Sequence, residues 1–284
     1  MNAYKLICHD IRQGVLQNKR LLIIPFFSLF ACFSANLYIY DAESSAPTFA
    51  DLWVALFQGC LPIMKANDGQ AVIPFFWLAM FLLAAFTIFD TLHDELSGFG
   101  LQLLTRTNAR PIWWLSKCIR IVAALMSIYL IVFVTSLLFA LVSGYEMTMQ
   151  VSSSLPERLL AATEYYQIGD VPGTEAAPLL LLAPLILFCT LGLLQMAISL
   201  FCKPVCSYII TAICVIVGTL TDSTAAFSRC GMLLTSTIFT TNGYSLRNGL
   251  IICLILMIIA VLGGMFCFQR RDLFLTKEDS SIIL

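Results

Sequence analysis

Uncharged apolar blocks alternate with short charged stretches along the whole chain. Runs free of Asp, Glu, Lys and Arg occupy Leu21–Tyr40, Gly69–Phe89, Ile121–Tyr145, Ala176–Cys202, Pro204–Thr221 and Asn248–Gln269, and hold 20, 21, 25, 27, 18 and 22 residues. A helix rising about 1.5 Å per residue needs about 20 residues to cross the hydrocarbon of a bilayer, so each run can span, the fifth only just. The pattern predicts an all-α integral membrane protein with six transmembrane helices, folded as one domain over residues 1–284. Leu52–Met64 is apolar but too short to cross, and Cys230–Leu246 is uncharged but crowded with Ser and Thr, so neither is counted.

Ahead of the first block, Tyr4, Ile7, Cys8, Ile11 and Val15 recur at helical spacing, while Lys5, His9, Arg12 and Lys19 fall mostly elsewhere. That spacing predicts an amphipathic helix within residues 1–20, lying in the membrane interface, with Tyr4, Ile7, Ile11 and Val15 on its apolar face. An irregular basic flank is the simpler alternative. The first apolar block is longer than the 7–15 residues of a signal-peptide core, and no small-residue cleavage site follows it, so it is expected to stay in the protein.

Charge placement gives an orientation. With six spans, one side of the membrane collects twelve of the sixteen basic residues, from Lys5 and Arg12 through Arg106, Arg110, Lys117, Arg120 and Lys203 to Arg270, Arg271 and Lys277. The other side keeps Lys65, Arg158, Arg229 and Arg247 beside ten acidic residues. The positive-inside rule then puts both termini in the cytoplasm. Trp113 and Trp114, and at the other face Tyr38 and Tyr40, are placed as aromatic interface belts.

Composition agrees, with 60% apolar and 12% charged residues against roughly 25% charged in soluble domains. The net charge of −1 hides an uneven distribution and says nothing for nucleic acid, which would need a basic patch. The stretches between spans, about 30 residues at most, are below the roughly 50 of an independent domain, so no soluble catalytic domain is expected. There is no G-x-x-x-x-G-K-[ST] phosphate loop, no H-E-x-x-H and no G-x-S-x-G. No catalytic, cofactor or metal residue is therefore nominated. Of the eleven cysteines, Cys32, Cys189, Cys202, Cys206, Cys214, Cys253 and Cys267 lie in or at the ends of spans, where thiols act as small packing groups. Cys60 and Cys230 are placed facing outward, and their pairing is left open. Mid-span polarity is mild: Asn36, Gln195 and Ser199 can line a pathway or bond a neighbouring helix.

Two connecting segments stand out. Between the second and third spans, residues 90–120 run from Asp90, Asp94 and Glu95, through Ser97–Gly98–Phe99–Gly100 and Leu101, Leu103 and Leu104, to Arg106 and Arg110. Pro111 pre-sets a helical turn and Asn108 stands near it. A short amphipathic segment between two charge clusters suits docking to a soluble partner, or lying on lipid headgroups. Before the last span, residues 222–246 are too polar for lipid and too apolar for water. An outer re-entrant helical pair, buried against protein, reconciles the two.

In architecture these features resemble the exporter-type (type two) permease subunits of ATP-binding-cassette transporters. The stretch G-F-G-L-Q-L-L-T-R-T-N-A-R-P-I-W-W-L-S-K-C, Gly98–Cys118, is similar to uncharacterised permeases of Gram-positive bacteria, and Phe268–Leu273, F-Q-R-R-D-L, resembles the family's exit from its sixth span. The resemblance implies a bacterial cytoplasmic-membrane subunit that pairs with a second permease chain, identical or homologous. Separate cytoplasmic ATPase subunits would carry the ATP and Mg. The coupling helix would fall at about His93–Arg106, with His93, Asp94, Glu95, Leu96, Phe99, Leu101, Leu103, Leu104 and Arg106 at the ATPase. The expected function is export of a peptide, lipid or other amphiphile by alternating access, without enzymatic activity in this chain. The alternative is a non-transporting sensor or immunity subunit that signals to a cytoplasmic partner through the same loop.

Overall fold

The computed structural model describes residues 3–15, 18–39, 47–59, 74–93, 110–152, 155–156, 173–221, 226–241 and 243–270. Its helices are α1 (Ala3–Val15), α2 (Ile23–Ile39), α3 (Phe49–Leu56), α4 (Phe75–Thr87), α5 (Arg110–Val142), α6 (Ala177–Ile198), α7 (Pro204–Leu220) and α8 (Leu246–Arg270). Among the described residues there is no strand, only the isolated bridges Thr48–Glu146 and Ser236–Tyr244. Five helical stretches are long and apolar enough to cross a membrane: Leu6–Leu37, Phe75–His93, Arg110–Val142, Thr174–Ile198 and Leu246–Arg270. Rows of large apolar side chains face outward on them, such as Phe26, Phe30, Phe33 and Leu37 on α2 and Ile251, Leu254, Ile255, Ile258 and Leu262 on α8. Water would penalise such a surface, whereas lipid accepts it. The chain is an all-α, multi-pass membrane protein. The fifth of the six expected spans, α7, is an apolar helix of 17 residues, shorter than those five stretches. It starts on Pro204 and stops where Thr221 turns extended.

Consecutive long helices run in opposite directions, so the bundle has two ends. At one, Asn18 ahead of α2 bonds Thr87 at the end of α4, Tyr208 early in α7 bonds Leu82, and Arg110 at the start of α5 bonds Gln269 at the end of α8. At the other, Asn36 of α2 meets Tyr145 beyond α5, Trp53 of α3 meets Leu180 early in α6, and Ser228 meets Cys214 late in α7. The first is the basic end, holding Arg12, Lys19, Arg20, Arg110, Lys117, Arg120, Lys203 and Arg270.

Local sequence explains the joints. Pro184 sits inside α6 and has no N–H for the carbonyl of Leu180, four residues back. The buried Trp53 indole donates to that oxygen instead, at 3.2 Å. α5 stops in a Schellman turn: Gly144 takes φ 76° and Tyr145 N–H bonds Ala140 O at 2.9 Å. α3, from the stretch too short to span, is buried along its whole length. Thr48 and Asp51 close its start with a capping box, and Asp51 also accepts from the Ser152 amide at 2.8 Å.

Four expectations change. Residues 110–120, expected within the docking loop, are the first turns of α5, because the helix starts at Arg110, with Pro111 in its first turn, eleven residues ahead of the uncharged run. Trp113 and Trp114 are not interface belts but core, 1% and 0% exposed, stacked against Phe268. Tyr40 and the Tyr38 side chain lie outside the described residues. The segment before the last helix contains no helical pair among its described residues. It forms a 3-10 turn, Phe227–Gly231, followed by irregular chain sunk between α3, α4, α6, α7 and α8. Trp77 Nε1 bonds Gly231 O at 2.8 Å and Leu233 N bonds Phe57 O at 2.8 Å, which satisfies backbone that neither a helix nor water would. Cys230, expected to face outward, is a buried free thiol beside Cys253, while Cys60 lies outside the described residues.

Candidate functional site

At the basic end three polar joints surround the point where the chain leaves α4 and re-enters at α5. In the first, α1 packs along the start of α5, and its buried face is Leu6, Asp10 and Gly14, spaced four apart. The Asp10 carboxylate receives Lys117 Nζ at 2.8 Å, and each side chain is only 2% exposed. Its second oxygen accepts from Ser116 Oγ. The pair is charge-assisted and almost free of water, the case in which losing one partner costs most. Gly14 lies against Arg120, and Arg120 Nη1 donates to Gln13 Oε1 at 3.1 Å.

The second joint ties the turn before α2 to the end of α4. Asn18 caps the 3-10 turn Lys19–Leu22 and donates to Thr87 O at 3.1 Å. Arg20 donates to Phe86 O at 3.1 Å and to Asp90 at 2.7 Å, with its guanidinium 4.8 Å from the Phe86 ring centre. In the third, Arg110 donates to Gln269 O at 2.9 Å, a cation on the terminal carbonyls of α8 where the helix dipole is negative. Beneath it, Phe268 stacks on Trp113 at 4.9 Å, and Trp114 Nε1 bonds Val261 O at 3.0 Å. Lys117 Nζ lies 5.3 Å from the Trp113 ring, so the α1 joint and the α8 joint share one tryptophan.

The nominated residues distribute as follows. His93 is exposed at the end of the α4 segment. Asp94, Glu95, Leu96, Phe99, Leu101, Leu103, Leu104 and Arg106 lie outside the described residues, as does the Tyr4 side chain. Ile7, Ile11 and Val15 form a row on α1 turned away from its buried face. The three pathway candidates are not brought together. Asn36 accepts from Tyr145 OH at the end opposite the basic one. Gln195 Nε2 donates to Ala85 O of α4 at 3.1 Å, and Ser199 folds back on Met196 O. The last two are an interhelical clasp and a helix end.

Asp10, Lys117, Arg20 and Asp90 carry the joints, and none was nominated. One signal did point to the first: Asp10 is the only acidic residue before Asp41, set in a basic amphipathic helix. A second polar cluster lies at the opposite end. There Arg229 is buried with its guanidinium 5.4 Å from the Tyr244 ring, and burial pushes the Tyr244 phenol up to about 12. Among the described residues no three His, Cys, Asp or Glu gather as a metal site.

A family model described as "Protein of unknown function (DUF2705)" matches residues 28–274. No curated protein and no solved structure matches the chain. The chain belongs to the DUF2705 family.

Proposed function

We propose that this chain is the membrane-spanning subunit of an ATP-driven exporter, in which a separate ATPase pushes on the loop between α4 and α5. The observation that supports it most is the way that loop is held. Where it leaves α4, Arg20 grips Asp90 and the Phe86 carbonyl. Where it re-enters, Arg110 grips the end of α8 and Lys117 grips α1. A force on the loop therefore reaches the ends of α1, α2, α4, α5 and α8 together, through short polar bonds rather than slack chain.

On this proposal α7 is a sixth crossing. Its 17 residues give about 25 Å of rise, a few ångströms short of the hydrocarbon, which local thinning accommodates. Even parity then puts both termini on the basic, cytoplasmic side, and residues 222–246 enter from outside. The sequence has no phosphate-loop motif, and on this proposal the energy comes from ATP and Mg bound in cytoplasmic ATPase partners. Two permease chains enclose the pathway in the bacterial cytoplasmic membrane. ATP-driven closure biases two global states of the bundle, and an amphiphilic peptide or lipid is carried out.

Affinity purification from native membranes tests this. An ATP-hydrolysing subunit should co-purify, and charge reversal at Asp94 and Glu95 should release it while the bundle stays folded. The chain alone should hydrolyse no ATP. Retention of no ATPase, or pumping of a fluorescent amphiphile by ATPase-free proteoliposomes, would overturn the proposal.

A further inference from the structure

α1 has three distinct faces. Leu6, Asp10 and Gly14 pack on α5. Ile7, Ile11 and Val15, each one position on, form an apolar row about 100° further round the helix, half-buried or exposed. His9 and Arg12, both exposed, occupy the remaining side, and Lys19 is exposed just beyond the helix. The one carboxylate of this segment does not share the outer side, because Lys117 and Ser116 hold Asp10 inward. Arg20 is taken by Asp90. Among the described residues neither Arg12 nor Lys19 joins an ion pair.

The height of α1 follows from its partner. It meets α5 at Ser116, Lys117 and Arg120, immediately before the 25-residue uncharged run that begins at Ile121. α5 has 33 residues, about 50 Å of helix, whereas hydrocarbon needs about 20 residues. The surplus at Arg110–Arg120 rises out of the hydrocarbon, and α1 is clamped at the level of the headgroups. It runs alongside α5 in the same direction, Asp10 at Ser116 and Lys117 and Gly14 at Arg120, so its last turns, with Ile11 and Val15, come nearest the acyl chains. Arg12 and Lys19 are then left at phosphate depth.

We propose that α1 and the turn after it form a binding surface for anionic phospholipid, selective over zwitterionic lipid. The apolar row argues for a bilayer rather than an acidic protein or nucleic acid as the occupant. Cations without an ion pair among the described residues argue for net negative headgroups: a phosphodiester takes Arg12 in either lipid, but choline cancels the charge that attracts Lys19 and Arg12 together. Sequestering Asp10 is what makes the outer side uniformly cationic. Each basic residue near an anionic surface contributes roughly a fivefold preference, so two give about 25-fold. Only membrane residence is assumed, not transport, so failure here leaves the exporter proposal standing and the reverse holds too.

The test uses the full chain in nanodiscs of phosphatidylcholine with phosphatidylglycerol, followed by native mass spectrometry of the lipid retained on release. The wild type should keep phosphatidylglycerol over phosphatidylcholine by at least tenfold relative to the disc composition. The doubly substituted Arg12→Gln, Lys19→Gln chain should lose most of that preference. Both positions are exposed, and an unchanged melting temperature will show that folding is intact. As a second measurement, hydrogen exchange of the α1 amides should slow when phosphatidylglycerol is added to the discs, in the wild type but not in the double variant. Equal retention of the two lipids by the wild type, or undiminished preference in the double variant, overturns the proposal.

Discussion

Replacing Lys117 with methionine should loosen α1 from the bundle without melting the bundle itself. At 2.8 Å and an effective dielectric of about 20, the attraction between Lys117 and Asp10 is about 6 kcal/mol. Desolvation of two ions offsets much of that in the intact pair, but the substitution removes the attraction and leaves the carboxylate buried. Breaking such pairs typically costs about 3–5 kcal/mol. Ser116 still donates to the stranded carboxylate. A cost of about 3 kcal/mol is expected, borne locally because the joint holds α1 to α5. Hydrogen–deuterium exchange of the amides of residues 3–15 should therefore quicken by about two orders of magnitude, while amides in the middle of α5 and α6 keep their protection. The double variant Asp10→Leu, Lys117→Met exchanges an ion pair for two apolar groups of similar size and should recover most of the protection. Unchanged exchange in Lys117→Met would refute the argument. So would a double variant as unprotected as the single, since that would assign the loss to shape rather than to a stranded charge.

Four further substitutions test the packing, each read as a melting temperature of the purified protein. Gly264→Val should destabilise by about 1–3 kcal/mol, because a Cβ there would stand 2.2 Å from Trp114 Cζ2. Gly263→Ala, with nothing within 4 Å, should be silent, and equal effects at the two positions would contradict the Trp114 contact. Asp51→Ala removes the acceptor of the Thr48 and Ser152 amides and should cost about 2–4 kcal/mol, with an unchanged melting point counting against the cap. Gln195→Leu gives up one bond to Ala85 O but also removes a buried carbonyl oxygen that has no partner among the described residues. It should change stability by less than about 1 kcal/mol, and a large loss would show that the amide does more than clasp α4.

Fold class was legible because a bilayer imposes its demand within each segment: a run without charge must be about as long as the membrane is thick. The five stretches long and apolar enough to cross answer to that rule. Their edges did not, because a run ends at the first charge whereas a helix ends where its backbone runs out of partners. Residues 110–120 carry Arg110, Lys117 and Arg120, so counting charges assigned them to a loop, although Pro111 at a helix start pointed the other way. Trp113 and Trp114 misled for a related reason. Tryptophan beside a charge suits an interface belt, and only the arrival of Phe268 from the far end of the chain makes both rings core.

The basic-end joints escaped because they join positions far apart in sequence. Asp10 and Lys117 are separated by 107 residues, and Arg20 and Asp90 by 70. Helical periodicity describes the faces of one element and says nothing about which other element a face will meet. For α1 that limit had a specific consequence. Ile7, Ile11 and Val15 are visible as an apolar stripe, with Lys5, His9, Arg12 and Lys19 falling mostly elsewhere and nothing to set Asp10 apart from that remainder. The structure divides that remainder in two: Asp10, the only acid in it, turns into protein, and Arg12 and His9 turn away. A helix that is weakly charged by composition thereby presents charge of one sign. Its net charge is thus a poor guide to what it binds, and Lys117, a residue of another helix, decides the sign of its outer surface.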